Sequence, residues 1–114
     1  MRTDIFKYTI DYGFCEPETY NLYLVADNYT NNDTLAIIVM NVTEEGYEEQ
    51  FDVITVNLPF GYADETHAYI DTNNCSWAEK MLKKMKLAKP TGDYGYSGYC
   101  KYPLYEFNLT KFSE

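Results

Sequence analysis

Histidine and arginine are almost missing from this chain of 114 residues, which contains one of each, His67 and Arg2. This inventory leaves little for a histidine-centred catalytic triad, a histidine-rich metal site or an arginine clamp on a phosphate group. No catalytic signature stands out elsewhere in the sequence. We therefore predict that the protein is not an enzyme, and we predict no cofactor and no metal.

Cysteine is also scarce, because only Cys15, Cys75 and Cys100 occur. Three cysteines cannot all pair within one chain, and their spacing shows neither a CxxC motif nor the density of a disulfide scaffold. The N-terminal residues lack the apolar region of a signal peptide. The longest apolar run, residues 35–40, is far shorter than the ~20 residues that cross a bilayer. These absences predict a soluble cytoplasmic protein that does not bind membranes.

Lysine and arginine are absent from residues 8–79, which nevertheless hold 14 of the 18 acidic residues. The net charge of the chain is −9, and a field of this sign repels the phosphate backbone of nucleic acids. Direct nucleic-acid binding is therefore not expected. The acidity can serve solubility alone, or it can form a docking surface for a protein partner with a basic surface.

The acidic residues are densest around the third predicted hairpin. We predict that this hairpin binds the protein partner through five carboxylates and one tyrosine, namely Glu44, Glu45, Tyr47, Glu48, Glu49 and Asp52. Basic grooves built for phosphates also bind closely spaced carboxylates through charge-assisted hydrogen bonds. The chain has 13 tyrosines, more than its core can hide, and tyrosine is favoured at interfaces because it buries a large area at low entropic cost.

Apolar residues alternate with polar ones through the first half of the chain, as in Phe6, Tyr8 and Ile10. A period of two is typical of strands that bury one face. Turn-forming residues interrupt the pattern at 13–18, 28–33 and 44–47. We predict four antiparallel strands over residues 4–11, 19–27, 34–43 and 48–58, the last ended by Pro59 and Gly61, and a short additional strand over 68–71.

A helical period begins near Ser76, which forms a capping-box pattern with Glu79, and Asn73 and Asn74 are alternative N-caps. The residues at helical spacing that predict the apolar face are Ala78, Met81, Leu82, Met85 and Ala88, with Lys80, Lys83 and Lys84 opposite. Lysines in the last turns suit the negative end of the helix dipole. Pro90 and Gly92 are predicted to stop this helix.

A Gly- and Tyr-rich loop over residues 92–99 and a last strand over 102–109 complete the predicted elements. A sheet needs its apolar face covered, and the helix is the element available for that. We therefore predict a single domain, residues 1–114, of the α+β class. Its architecture is an antiparallel β meander of about five strands with one amphipathic helix packed on one face.

Several segments carry a family resemblance. They are residues 56–59 (VNLP), 71–79 (DTNNCSWAE), 90–92 (PTG) and 97–107 (SGYCKYPLYEF). In combination they resemble a domain-of-unknown-function family of small bacterial proteins, largely from Firmicutes and their plasmids and phages. The resemblance implies an accessory protein of a mobile element and supplies no catalytic residues. Ser76 stands where the family favours Pro, which bears on the helix start.

Three constellations point to chemistry, and each has a simpler structural interpretation. Cys75 near a helix N-terminus could be activated with His67 as its base, or it could be a buried cysteine. The oxygen-rich run 27–33 lacks the Gly and the closing Glu of a calcium loop, so a hairpin loop is favoured. The glycines at 92, 95 and 98 do not open a helix and therefore do not predict a phosphate-binding loop.

Charge and family resemblance together favour an inhibitor of a host enzyme over an accessory protein. The leading hypothesis is a non-enzymatic inhibitor from a phage or mobile element, which docks on the basic nucleic-acid-binding surface of a host defence enzyme in the manner of anti-CRISPR or anti-restriction proteins. The alternative is a structural or regulatory accessory protein that acts through self-association or partner assembly. The sequence leaves the partner, the face used and the oligomeric state open.

Overall fold

Two four-stranded antiparallel sheets and one short helix form the protein in a computed structural model, which describes residues 1–30, 33–58 and 63–113. The elements in chain order are β1 Phe6–Ile10, β2 Glu18–Asn28, β3 Leu35–Val42, β4 Glu48–Val53, β5 Thr55–Val56, β6 His67–Ile70, α1 Ala78–Lys84, β7 Ala88–Ser97 and β8 Cys100–Phe107, followed by a 3-10 turn Leu109–Lys111. The predicted α+β class is confirmed.

The first sheet is the predicted meander, with strand order β1-β2-β3-β4. Its register places Leu22 opposite Asn41 and Val42 opposite Glu48. Because side chains alternate along a strand, this register directs Leu22, Leu24 and the other period-two residues to one face. That face forms most of the hydrophobic core, which confirms the strand pattern read from the sequence.

The predicted strand over 48–58 divides at Ile54 into β4, which belongs to the first sheet, and β5, which belongs to the second. Ile54 is fully buried, and its backbone links the two sheets. Its N–H donates to the carbonyl of Ile37 in β3 at 3.1 Å, and its carbonyl accepts the N–H of Asp71 at 2.8 Å. The predicted stop at Pro59 and Gly61 lies outside the described residues.

The second sheet has strand order β5-β6-β8-β7, and β7 corrects the predicted loop over 92–99. Residues Tyr94 to Ser97 pair in register with β8, after an irregularity between Pro90 and Tyr94. β7 pairs on one side only among the described strands, and an edge strand tolerates Pro90 because its outer N–H positions need no partner. The Gly- and Tyr-rich composition misled the prediction.

The start of α1 differs from the predicted capping box. The N-cap is Trp77, it has a right-handed helical backbone conformation, and it makes no side-chain capping bond. Glu79 instead accepts a hydrogen bond from the hydroxyl of Tyr105 at 2.5 Å, so its carboxylate is used in packing against β8. With seven residues α1 is short, and no helix in the described ranges is long and apolar enough to cross a membrane.

The helix ends earlier than predicted, in a Schellman motif centred on Lys86. The N–H of Leu87 donates to the carbonyl of Leu82 at 3.0 Å, and the N–H of Lys86 donates to the carbonyl of Lys83 at 3.2 Å. Lys86 has φ +56°, a left-handed conformation that costs a non-glycine residue about 1 kcal/mol. Ala88, predicted on the helix face, is therefore the first residue of β7.

The core lies between the two sheets and includes the apolar face of α1. Ala78, Met81 and Leu82 are fully buried, as the helical period predicted, whereas Met85 is only half-buried. The same cluster joins Leu24 of the first sheet to Tyr105 of the second. The apolar face of α1 is buried as predicted, and the core that it joins is shared by two four-stranded sheets rather than formed on one sheet of about five strands.

Candidate protein-binding surface

The β3–β4 turn displays the first part of the predicted binding site. Gly46 donates its N–H to the carbonyl of Thr43 at 2.9 Å and has φ +87°, so a type I turn closes with a left-handed glycine. The N–H of Tyr47 donates to the Thr43 hydroxyl at 3.1 Å and fixes the chain after the turn. This geometry leaves Glu44, Glu45 and Tyr47 exposed.

The meander brings a second acidic turn to the same end of the sheet. Glu18 pairs with Ile10 at the base of the β1–β2 turn, and Glu48 pairs with Val42 at the base of the β3–β4 turn. In an antiparallel meander, alternate turns lie at one end. We call this region the acidic end, and its carboxylates are Asp11, Glu16, Glu18, Glu44, Glu45, Glu48 and Glu49.

Two exposed aromatic side chains accompany the carboxylates at the acidic end. Phe14 in the β1–β2 turn is 88% exposed, and Tyr47 is 73% exposed. Tyr47 was predicted from the sequence, whereas Phe14 and the three acids of the first turn were not. The signal that could have found them is topological, because predicting a meander already implies that turns one and three are neighbours.

Glu48 is the member of the acidic end with the most internal contacts. Its Oε1 lies 3.6 Å from Nη1 of Arg2 and accepts the hydroxyl hydrogen bond of Tyr23 at 2.5 Å. The Arg2 guanidinium also stacks 3.7 Å above the Tyr23 ring. The hydrogen bond to the Glu48 carboxylate raises the pKa of Tyr23, together with burial. Glu48 therefore anchors the N-terminal segment to the sheet.

Asp52, also predicted at the binding site, lies apart from the acidic end. It follows an irregularity in β4 and pairs with Val39. Its Oδ2 accepts the thiol hydrogen of Cys75 at 3.3 Å, and its Oδ1 accepts the N–H of Val53 at 2.8 Å. The structure thus brings five of the six predicted residues together and directs the carboxylate of Asp52 toward the helix start.

The outer face of the first sheet is unexpectedly apolar next to the acidic end. Five aliphatic side chains are half-buried there and belong to no core cluster of the described residues: Val25, Ile38, Met40, Val42 and Val53. An apolar surface bordered by charged groups is typical of protein interaction sites. Residues of this face alternate with core residues inside continuous apolar runs such as residues 35–40. No polar positions therefore mark a separate outer face in the sequence.

The catalytic pair considered for Cys75 and His67 does not assemble. Cys75 is fully buried, and burial raises the pKa of its thiol to about 12, aided by the hydrogen bond to the Asp52 carboxylate. The His67 ring contacts Asp64 at 2.9 Å and Glu106 at 3.6 Å. Cys75 is therefore a packing residue, in agreement with the simpler interpretation.

We expect Cys75 to resist thiol reagents in the folded protein at neutral pH, because a buried thiol with a raised pKa supplies almost no thiolate. Cys15, which is exposed, should be labelled by iodoacetamide under the same conditions. Mass spectrometry of peptides after labelling with and without denaturant measures both. Labelling of Cys75 as fast as Cys15 in the folded protein would contradict this assignment.

The remaining constellations also have structural roles. Gly92 and Gly95 lie in β7 and Gly98 in the β7–β8 turn, so they form no phosphate-binding loop. The run 27–33 includes Asn31 and Asn32, which lie outside the described residues; Asp27 accepts the N–H of Asn28 at 2.8 Å. In the described ranges no group of three or more His, Cys, Asp or Glu residues could hold a metal ion.

Fold and surface together define an α+β protein of two antiparallel sheets whose acidic charge gathers at one end of the first sheet. A family model described as a domain of unknown function (DUF4313) matches residues 12–114, and the chain belongs to this family. The match confirms the resemblance to a domain-of-unknown-function family, and it covers the C-terminal half and most of the meander. No curated protein and no solved structure matches the chain.

Proposed function

We propose that this protein is a non-enzymatic inhibitor from a phage or mobile element that docks its acidic end on the basic nucleic-acid-binding surface of a host defence enzyme, as anti-CRISPR and anti-restriction proteins do. The observation that carries the proposal is the gathering of seven carboxylates at one end of the first sheet. Among the described residues, only Glu48 of these seven takes part in an ion pair.

Closely spaced carboxylates on two neighbouring turns, of which Glu48 alone has an ion pair among the described residues, resemble the charge pattern of a phosphate backbone. Lysine and arginine side chains that bind phosphates form the same charge-assisted hydrogen bonds with carboxylates. A concentrated negative field also accelerates encounter with a positive groove and selects against acidic partners. The partner class favoured by this surface is therefore a protein with a basic groove, in the cytoplasm of the host cell.

The aromatic and aliphatic groups beside the carboxylates supply the apolar part of such an interface. Phe14 and Tyr47 project from the two turns, and aromatic anchors commonly contribute most of the binding energy of a protein complex. The half-buried aliphatic face of β2, β3 and β4 reaches Val42, which pairs with Glu48 at the acidic end. Charge would steer the association, and these apolar groups would slow dissociation.

Reversing two charges at the turn should separate this function from solubility. In the double variant Glu44→Lys and Glu45→Lys, we expect inhibition of a sensitive host nuclease to weaken by roughly tenfold or more, because like charges then meet in the groove. The melting temperature should hardly change, since both side chains are exposed. A panel of guide-loaded CRISPR nucleases and restriction enzymes in DNA-cleavage assays provides the measurement.

The matched control is Glu65→Lys with Asp93→Lys, which makes the same change in net charge at exposed positions outside the acidic end. It should leave inhibition near the wild-type level at any one ionic strength. Equal losses in both double variants would mean that net charge alone acts. Inhibition unchanged by the Glu44 and Glu45 reversals would remove the acidic end from the interface.

Self-association is a second candidate function, favoured by the open edge of β7. Among the described strands β7 pairs only with β8, and its side chains Tyr94 and Tyr96 are exposed. An unpaired strand edge is a template for pairing with another chain. Sedimentation measurements that show a concentration-dependent dimer, abolished by Tyr96→Lys, would support assembly as the function, whereas a monomer at high concentration would exclude it.

A further inference from the structure

A groove of about 710 Å³ lies beside the C-terminal end of α1, away from the acidic end. Three lysines line it, namely Lys83 from the last helical turn, Lys86 from the Schellman motif and Lys89 from β7. Leu109 borders the groove and also a smaller cavity beside the β2–β3 turn, which is the opposite end of the first sheet from the acidic turns. Three of the nine basic residues thus line one groove, next to a cavity bordered by Asp27, Asp33 and Glu65.

The groove carries an excess of positive charge even though the chain as a whole has a net charge of −9. Among the lining residues that the structure describes, Glu106 is the one acidic residue, and its Oε1 pairs with Nζ of Lys89 at 3.3 Å. No ion pair within the described part of the chain involves Lys83 or Lys86. Three lysines and one glutamate give the described lining residues a formal charge of +2, which suits an anionic ligand.

Apolar residues form a second part of the lining, which we call the apolar floor. It comprises the buried Ala88 and Phe107, the half-buried Leu109, and Pro90. The volume lies within the roughly 300–1,000 Å³ of small-molecule pockets, whose usual composition is an apolar wall with a few polar groups. A ligand with a charged head and an apolar body would contact both parts.

Lys86 is an unusual residue for its backbone position at the rim of the groove. It occupies the left-handed position of the Schellman motif, where glycine avoids the steric strain of a Cβ atom. Neither the backbone hydrogen bonds of the motif nor the core requires its side chain, which is exposed. Strained residues of this kind cluster at ligand sites.

We propose that the lysine groove binds a small phosphate monoester with an apolar body. A phosphate monoester carries close to two negative charges at neutral pH and accepts several charge-assisted hydrogen bonds, which Lys83 and Lys86 are placed to donate. The hydroxyl-bearing residues Thr66 and Thr110 also line the groove. This site is separate from the acidic end, so it stands or falls independently of the proposed function.

A ligand series tests the two halves of the groove separately. Isothermal titration calorimetry with octyl phosphate, inorganic phosphate and octanol should give measurable binding for octyl phosphate, at least roughly tenfold tighter than for either half alone. Butyl phosphate should bind more weakly than octyl phosphate, because it buries less of the apolar floor. Octyl phosphate that binds no tighter than inorganic phosphate would overturn the proposal.

Lysine variants show where octyl phosphate binds, and one of them also controls for loss of folding. Lys83→Ala should weaken octyl phosphate binding by roughly tenfold, while Lys80→Ala, the same change on the same helix but outside the groove, should not. Lys86→Gly should weaken binding similarly and also raise the melting temperature, because glycine relieves the backbone strain. Loss of affinity in a stabilised variant cannot arise from unfolding.

Two further outcomes would overturn the assignment. Equal effects of Lys83→Ala and Lys80→Ala would show that octyl phosphate responds only to the general charge of the helix. Flotation with vesicles of phosphatidic acid in phosphatidylcholine, without binding of free octyl phosphate, would show that a lipid surface rather than a small molecule is the ligand. Binding of octyl phosphate with no vesicle flotation supports the small molecule.

Discussion

Replacing Leu82 with alanine should lower the free energy of unfolding by about 2–5 kcal/mol. Leu82 is fully buried in the main hydrophobic core, and truncation there loses apolar contacts and leaves a cavity. Urea denaturation followed by far-ultraviolet circular dichroism measures the change.

Lys83→Ala is the control for that measurement, because it changes the next residue of the same helix at an exposed position. Its effect should stay within about 0.5 kcal/mol. Similar small losses at Leu82 and Lys83 would mean that α1 does not pack as described.

Gly95→Ala should destabilise the second sheet by about 1–3 kcal/mol through overpacking. A Cβ atom built at Gly95 meets Cε1 of Tyr69 at 2.7 Å and collides with Cδ1 of Leu58. Tyr69 is only 1% exposed and has little room to move. The backbone of Gly95 is not left-handed, so the cost reports crowding rather than strain.

Ser97→Ala serves as the comparison for Gly95→Ala, since Ser97 lies in the same strand and is exposed. Thermal melts of the two variants should differ by several degrees. A Gly95→Ala melt equal to that of Ser97→Ala would show that β7 can shift away from Tyr69, and that the strand is held less firmly than its pairing with β8 suggests.

Local patterns predicted the first sheet well and the second sheet poorly, for physical reasons. Strands that bury one face carry a period of two, and residues such as Leu22 and Leu24 record it directly. β7 is an edge strand with nearly all of its side chains exposed, so no hydrophobic period marks it. Pro90 and the glycines further resembled loop signals, although edge strands admit them.

The end of α1 escaped prediction because its stop signal is carried by an unusual residue. Helix ends are commonly read from glycine, and here Lys86 takes the left-handed conformation. Met85 and Ala88 also continued the helical spacing by coincidence. The Schellman hydrogen bonds from Lys86 and Leu87 depend on backbone angles that composition does not report.

The acidic end was only half visible in the sequence. Glu44, Glu45, Glu48 and Glu49 form a local cluster that composition reveals, whereas Glu16 and Phe14 join them only through the topology of the meander. Asp52 is close in sequence to the cluster but follows the β4 irregularity, which redirects its carboxylate to Cys75. Glu16 and Phe14 thus reach the acidic end although they are far from it in sequence, whereas Asp52 lies apart from it although it is near in sequence.

Ile54 couples the unfolding of the two sheets. The N–H of Ile54 donates to Ile37 in the first sheet, and its carbonyl accepts the N–H of Asp71, which follows β6 of the second sheet. Its side chain is buried in the common core. Opening either sheet therefore breaks a backbone hydrogen bond of Ile54 and exposes its side chain, which also packs in the core of the other sheet, to water. Coupling of this kind makes partial opening costly and favours an all-or-none transition.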